Sequence, residues 1–273
     1  MAEKDQTPGE ENYLHGYSAE HRAFLSSRTA AREAAFFLPF LKPGMRLLDC
    51  GCGMGALTTS LAEWLAPGEV IGIDREPSQV AAARAWAAER DIHNVRFEIG
   101  SIYDIPYPDA SFDAVFAFTV LEHLREPRRA MGEMRRVLRS GGVAGICDPD
   151  YEASLQEPST PGLQELSRIM RRFSEENASP YYARHQRQYL LEAGFLRTEG
   201  FALAVGGGNP QMTPFMYQVV LKPTFESLRP WIIEHGLADE AHLDALLAEG
   251  RAWSERPDAF FALMQCAAVA WAP

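Results

Sequence analysis

The sequence predicts an α/β protein whose largely parallel sheet carries helices on both faces. Two observations predict it. Short apolar runs alternate with helical periods from about residue 45 to 150, and the first apolar run ends in an acid followed at once by three alternate glycines, Gly51, Gly53 and Gly55, in "LLDCGCGMGALT". Right-handed crossovers place the carboxyl ends of such strands along one edge, where open α/β sheets bind their ligands. The 273 residues suffice for one large domain with a sizeable core.

The elements follow in order. Residues 1–11 read as disordered. Residues 18–40 carry apolar residues at helical spacing (Phe24, Leu25, Ala31, Ala35, Leu38), and Pro43-Gly44 ends that pattern. "MRLLDC" reads as a strand and 56–65 as a helix closed by Ala66-Pro67-Gly68. "EVIGID" is a second strand, 77–90 a helix entered at Pro77, and "VRFEIG" a third strand. "FDAVFAFT" makes a fourth, 127–138 a helix, Ser140-Gly141-Gly142 a turn, and "VAGICD" a fifth. Beyond Asp150 the rhythm changes: helical patterns over 162–177 and 186–193, a strand in "EGFALAVG", a partly helical stretch over 206–258, and a last strand in "FFALMQCAAVAWA". The simplest division is a single domain over 1–273. In it, 12–40 forms a helical lid, 41–205 and 259–273 the sheet core, and 206–258 a helical insertion.

Composition excludes several classes. A net charge of −11 argues against a nucleic-acid partner, and the basic run around Arg125–Arg139 reads as the solvated face of a helix. No apolar segment reaches the roughly 18 residues a membrane span needs. The polar, acidic N-terminus is unlike a signal or transit peptide. Cys50, Cys52, Cys147 and Cys266 sit in apolar runs, and Cys50-Gly-Cys52 has the wrong spacing for zinc or redox work, so no metal is expected. Buried thiols suit a reducing compartment, and the expected location is cytoplasmic.

The glycine loop follows the first strand and therefore lies at the binding edge. Gly51 and Gly53 let the backbone pass close beneath a ligand, and Gly55 lets the next helix pack tightly on the strand. Asp74 ends the second strand, where a carboxylate can take two hydrogen bonds from a ribose diol. An NAD-dependent oxidoreductase wants G-x-G-x-x-G to seat a pyrophosphate. Here the spacing is G-x-G-x-G, with Asp49 ahead of it, and negative charge there suits an ammonium or sulfonium ligand better.

"LLDCGCGMGALT", "VIGIDREPSQV" and "IGSIYDIPYPDASFDAVFAFTVLEHLREPRRAMGEMRRVLRSGGVAGICDPDY" together resemble the class I S-adenosylmethionine-dependent methyltransferases, and most of all the branch of quinone-biosynthesis and natural-product enzymes. The resemblance spans about residues 40–150. It implies a Rossmann-like, seven-stranded sheet in order 3-2-1-4-5-7-6 with strand seven antiparallel. It also implies S-adenosylmethionine as cofactor, S-adenosylhomocysteine as product, and a small-molecule acceptor such as a secondary metabolite or a quinone-like compound.

The resemblance further places residues. Asp49 and the backbone of Gly51, Cys52 and Gly53 meet the methionine part, Asp74 holds the ribose with Arg75 and Gln79 nearby, Ser101 and Ile102 line the adenine, and Phe118 and Thr119 flank the methionine amine and methyl group. "GSI" stands where "GDA" is more usual, which removes an acid from the adenine site.

On the acceptor side, His123 in "VLEHL" is the candidate catalytic base. Asp148, Asp150 and Tyr151 in "CDPDY" are candidate substrate contacts. Tyr13, Tyr17 and Arg28 lie in the lid, where Tyr13 can meet the acceptor and Tyr17 and Arg28 the methionine carboxylate. Met212, Phe215, Met216 and Tyr217 could line an apolar pocket or form core under the insertion. The lid and insertion also offer surfaces for a homodimer. A methyltransferase fold that binds the cofactor without transferring its methyl is the second alternative to methyl transfer.

Overall fold

A computed structural model of the chain describes residues 24–177 and 181–273. Tyr13, Tyr17, the reading of residues 1–11 and the first part of the lid lie outside the described residues. Seven strands make one sheet: β1 (Leu47–Cys50), β2 (Val70–Asp74), β3 (Val95–Ile99), β4 (Phe112–Phe118), β5 (Leu138–Glu157), β6 (Arg197–Gly207) and β7 (Phe260–Trp271). Their order is β3-β2-β1-β4-β5-β7-β6, as the resemblance implies. β1 to β5 pair in parallel, and β7 runs antiparallel to both β5 and β6. β1 is buried along its whole length, which is why its residues do not alternate between apolar and polar, and Asp49 is its one charged member.

The helices are α1 (Ala30–Glu33), α2 (Ala56–Leu65), α3 (Pro77–Glu89), α4 (Pro127–Val137), α5 (Pro161–Asn177), α6 (Tyr182–Glu192), α7 (Met212–Met216), α8 (Lys222–Glu234) and α9 (Glu240–Ser254). Alternate side chains of β4 serve the two faces of the sheet. Val115 and Ala117 pack with α4 and α6 through Met131, Met134 and Leu190. Ala114, Phe116 and Phe118 pack with α2 and the N-terminal segment through Leu57, Leu61, Phe36 and Phe37. Proline starts α3 and α4, and α3 is capped by Glu76, whose carboxylate accepts from the Ser78 N–H at 3.0 Å.

Three features differ from the sequence expectation. The helix expected over 18–40 is, within the described residues, a set of short turns that include α1 and a 3₁₀ turn at Leu38–Phe40. Pro39 cannot donate an N–H to continue an α-helical ladder, and Phe37 stacks on Phe116 with ring centroids 5.4 Å apart, which fixes the segment on the sheet. The expected turn at 140–142 is an irregularity inside β5, with Gly141 at φ +72° and a shifted register against β4. β5 also continues beyond "VAGICD" to Glu157, still paired with β7.

Beyond the sheet edge, α5, α8 and α9 share a core of their own that includes Leu163, Phe173, Phe225, Leu243 and Trp253. The helical unit therefore draws one helix from before β6 as well as those from 206–258. No helix among the described residues is long and apolar enough to cross a membrane.

Candidate active site

The site grows from the turn after β1. Gly51 sits at φ +76°, and a Cβ there would lie 2.5 Å from Val120 Cγ2, so only glycine lets the loop pass the end of β4. Gly55, at φ +84°, meets Ala83 and Phe97 so closely that a Cβ would come within 2.8 Å of each, which seats α2 against α3 and β3. The N–H groups of the loop turn inward. Gly51 and Cys52 donate to the Ile73 carbonyl at 2.8 and 3.0 Å, Gly53 donates to Asp74 Oδ2 at 2.9 Å, and Gly55 donates to the Cys52 carbonyl at 3.0 Å. A pyrophosphate seat needs such groups aimed outward. This loop spends them on itself and sets two carboxylates beside the cleft.

Asp49 is 3% exposed and accepts from the Thr58 hydroxyl at 2.6 Å. Burial pushes its carboxyl up to about 7, opposed by the Thr58 bond and reinforced by the Asp74 charge. Asp74 is raised by burial and held back by its bonds from the Glu76 and Gly53 N–H groups. Each of its oxygens keeps a lone pair, and the carboxylate is fixed at the end of β2 facing the loop. Arg75 lies exposed beside it, and buried Gln79 comes close to Gly53. After β3, the Ser101 hydroxyl accepts from the Tyr103 N–H at 3.1 Å, with Ile102 buried next to it.

At the end of β4, Thr119 sits at φ +54°, an unusual conformation for a β-branched residue and one found most often at functional turns. Its N–H donates to the Cys147 carbonyl at 2.8 Å, and Arg28 donates to its hydroxyl at 3.2 Å. The Arg28 guanidinium also lies 5.0 Å from the Phe118 ring centroid. Residues 28, 118 and 119, far apart in sequence, thus meet next to Val120 and Gly51.

Residues 41–193 match the family described as a methyltransferase domain. The chain belongs to the S-adenosylmethionine-dependent methyltransferases. It is 30% identical to a probable methyltransferase, ltbC, of Aspergillus luteorubrus over 99% of this chain and all of that protein. It is 31% identical to the 27-O-demethylrifamycin SV methyltransferase of Amycolatopsis mediterranei over 95% of this chain and 90% of that one. Among solved structures, phosphoethanolamine N-methyltransferase 2 of Haemonchus contortus, in complex with S-adenosylhomocysteine, superposes with a TM-score of 0.56 at 16% identity, covering 89% of this chain and 52% of that one, a likeness of fold. The [4+2]-cyclase SpnF superposes at 0.51 with 25% identity over 96% of this chain and 85% of that one.

The residues present fit the cofactor of this methyltransferase. A ribose diol needs a fixed acceptor pair, which Asp74 offers, and inward N–H groups leave the loop suited to a cation-bearing ligand instead of a phosphate.

Around the β4 turn, the methyltransferase buries a knot of titratable groups. Burial brings the His123 imidazole down to about 4, and the charges of Arg75 and Arg28 add to the effect, so the ring is neutral at pH 7. Its Nε2 lies 3.6 Å from Glu122 Oε1. Burial and the neighbouring Asp148 push the Glu122 carboxyl well above the usual range, while a bond from the Tyr151 phenol opposes them. Asp148 is fully buried and accepts from the N–H groups of Val120 and Glu122 at 2.9 and 3.3 Å, and burial lifts it to about 7. The Tyr182 phenol lies beside it.

Asp150 accepts a two-pronged bond from Arg184, at 2.7 and 2.6 Å. Asp148 and Asp150 thus brace the turn and α6, and Tyr151 is the member of "CDPDY" that stands between this knot and the helical unit. Glu122, Tyr182 and Arg184 escaped the sequence reading. Glu122 directly precedes His123 in "VLEHL" but carries no spacing signal of its own, and nothing in the spacing of the other two marks them.

Proposed function

We propose that the chain transfers a methyl group from S-adenosylmethionine to a small organic acceptor, a secondary metabolite or quinone-like molecule. The observation that carries this reading is the inward-facing glycine loop flanked by Asp49 and Asp74, which suits a cationic nucleoside and not a pyrophosphate. In this reading Asp74 takes the ribose hydroxyls, with Arg75 and Gln79 near it and Ser101 and Ile102 at the adenine. Arg28 takes the methionine carboxylate, while Asp49 and the carbonyl side of Gly51 to Gly53 face the ammonium. The bound cofactor supplies a methyl carbon activated by a sulfonium. The chain's own part is alignment, which contributes on the order of 7–11 kcal/mol in favourable cases. His123 is the candidate proton acceptor, and its low basicity suits an acceptor group that is already acidic. The similarity to the rifamycin enzyme, and to demethylmenaquinone methyltransferases at 27% identity over 58% of this chain, supports an organic acceptor.

The test is calorimetric titration with S-adenosylhomocysteine and NADH, followed by S-adenosylhomocysteine release over a panel of phenols, hydroquinones and polyketides. Binding of the former alone, with turnover on at least one acceptor, is expected. Tight NADH binding without S-adenosylhomocysteine binding overturns the reading. A second reading, a protein that binds the cofactor without moving its methyl, is favoured by the similarity to a cyclase; binding without release on any acceptor points to it.

A further inference from the structure

Four buried side-chain oxygens belong to the region where the turn after β4, β5 and α6 meet. They are Glu122 Oε2 on the 3₁₀ turn Leu121–His123, Asp148 Oδ2 on β5, and the Tyr182 hydroxyl and Gln186 Oε1 on α6. None has a hydrogen-bond partner among the described residues. Tyr182 is 1% exposed and Gln186 2%, so neither reaches bulk solvent. The charge of Asp148 acts on Glu122, and both acids act on the Tyr182 phenol, which makes these three groups neighbours. Gln186 follows Tyr182 by four residues, on the same buried face of α6, and that helix packs on β5 and on the turn.

A polar atom sealed from solvent without a partner is costly, and native interiors rarely leave one so. The surroundings cannot supply partners. Leu121, Leu124, Ile146 and Leu190 belong to the same apolar cluster as Tyr182. The nearby donors are committed: the Val120 and Glu122 N–H groups both go to Asp148 Oδ1, at 2.9 and 3.3 Å, and the Tyr151 phenol bonds to the Glu122 carboxyl.

The chemistry of the four oxygens specifies what binds there. Asp148 takes both backbone N–H groups and is the acid better able to carry a negative charge, so Glu122 is the one that keeps a proton. Asp148 Oδ2 and Gln186 Oε1 then accept, while the Glu122 acid and the Tyr182 hydroxyl donate. Two acceptors and two donors match one water molecule, which gives two hydrogens and takes two. A monovalent cation would meet both O–H hydrogens head on.

We propose that Glu122, Asp148, Tyr182 and Gln186 form an internal binding site for a single four-coordinate water that ties the turn to α6. The same molecule gives the two acids a path for their proton. Glu122 passes its hydrogen to the water oxygen as the water passes one of its own to Asp148 Oδ2, so the negative charge moves to Glu122 and the water is restored. The site stands or falls without the methyl-transfer reading.

The test is a crystal structure of the full-length protein at a resolution that orders interior solvent, with a second data set after a rubidium chloride soak. One solvent peak is expected within about 3.2 Å of the Tyr182 hydroxyl and of at least two of the other three oxygens, with no anomalous signal from rubidium. Tyr182→Phe and Gln186→Met each remove one partner of the water and keep the side chain's shape. If both act through the same molecule, the double variant's shift in urea midpoint should fall clearly short of the sum of the single shifts. The crystallographic result decides alone should a variant fail to fold. A peak-free interior with Tyr182 bonded directly to Asp148, a peak that scatters as rubidium, or simple additivity of the two shifts overturns the site.

Discussion

The glycine-loop end of the cleft and the helical end are built on opposite plans. At the loop, backbone groups set the shape: inward N–H groups, a positive φ at Gly51, and two acids fixed by short bonds. At the helical end, side chains set the shape, and the Thr213, Tyr217 and Ser167 hydroxyls and the Trp253 indole donate to backbone carbonyls. A backbone-defined seat tolerates little change of ligand. A seat made of apolar side chains is retuned by single substitutions without touching the loop, and that difference suits one constant ligand and one variable one.

The sharpest way to break this contrast is Asp74→Ala. Losing two charge-assisted bonds to a diol, each worth about 1.5–3 kcal/mol, should weaken S-adenosylhomocysteine by about 100-fold or more in calorimetry, with the urea midpoint little changed. Unaltered nucleoside affinity would mean that the ribose lies elsewhere.

Next in size is Gly51→Ala, expected to cost about 2 kcal/mol in urea unfolding from the positive φ together with the Val120 clash. Adding Val120→Ala should return part of that loss. No recovery would show that the close approach carries no energy.

A smaller effect separates the two ends by pH. With Asp49 near 7, binding a cation beside it requires the ionised form, so S-adenosylhomocysteine affinity should fall by up to about tenfold per unit below pH 7. Asp49→Asn should flatten that slope.

The smallest concerns the knot between the ends. Asp148 stands at about 7 when folded against 3.8 for its ordinary value. The folded chain therefore keeps a proton that the unfolded chain loses between about pH 4 and 7, and stability falls as pH rises through that window. Asp148→Asn does not titrate and still accepts from the Val120 N–H. Its stability relative to the unsubstituted chain should rise by about 1 kcal/mol from pH 6.5 to pH 8 in urea melts. A flat difference would mean that Asp148 is ionised throughout.

The same contrast explains what could be read in advance. Strand alternation, Gly51, Gly55 and Asp74 are local signals, because a turn or strand end demands particular residue types at fixed spacing. The sheet order came with the resemblance those motifs carry. Periodicity shows that α5 has an apolar face but not that α8 and α9 cover it, since the choice of partner is a tertiary matter. The same limit hid the length of β5, whose exposed, alternating end past Asp150 reads as loop until β7 pairs with it. Glu122 looks like an ordinary surface acid, because nothing in "VLEHL" reports that β5 and α6 close over it. His123, in contrast, stands out by its chemistry, but its low basicity comes from burial first and then from the charges of Arg75 and Arg28, which only the fold brings to it.

Asp148 has a consequence for how the two ligands communicate. It grips the turn whose Val120 methyls fill the hollow under Gly51, and it touches Tyr182, on the same helix whose Arg184 clamps Asp150 next to Tyr151. A ligand that shifts that helix is thus felt, carboxylate to turn to methyl, in the floor of the glycine loop. By thermodynamic reciprocity, whatever the first occupant does to the grip on the second, the second returns in equal measure.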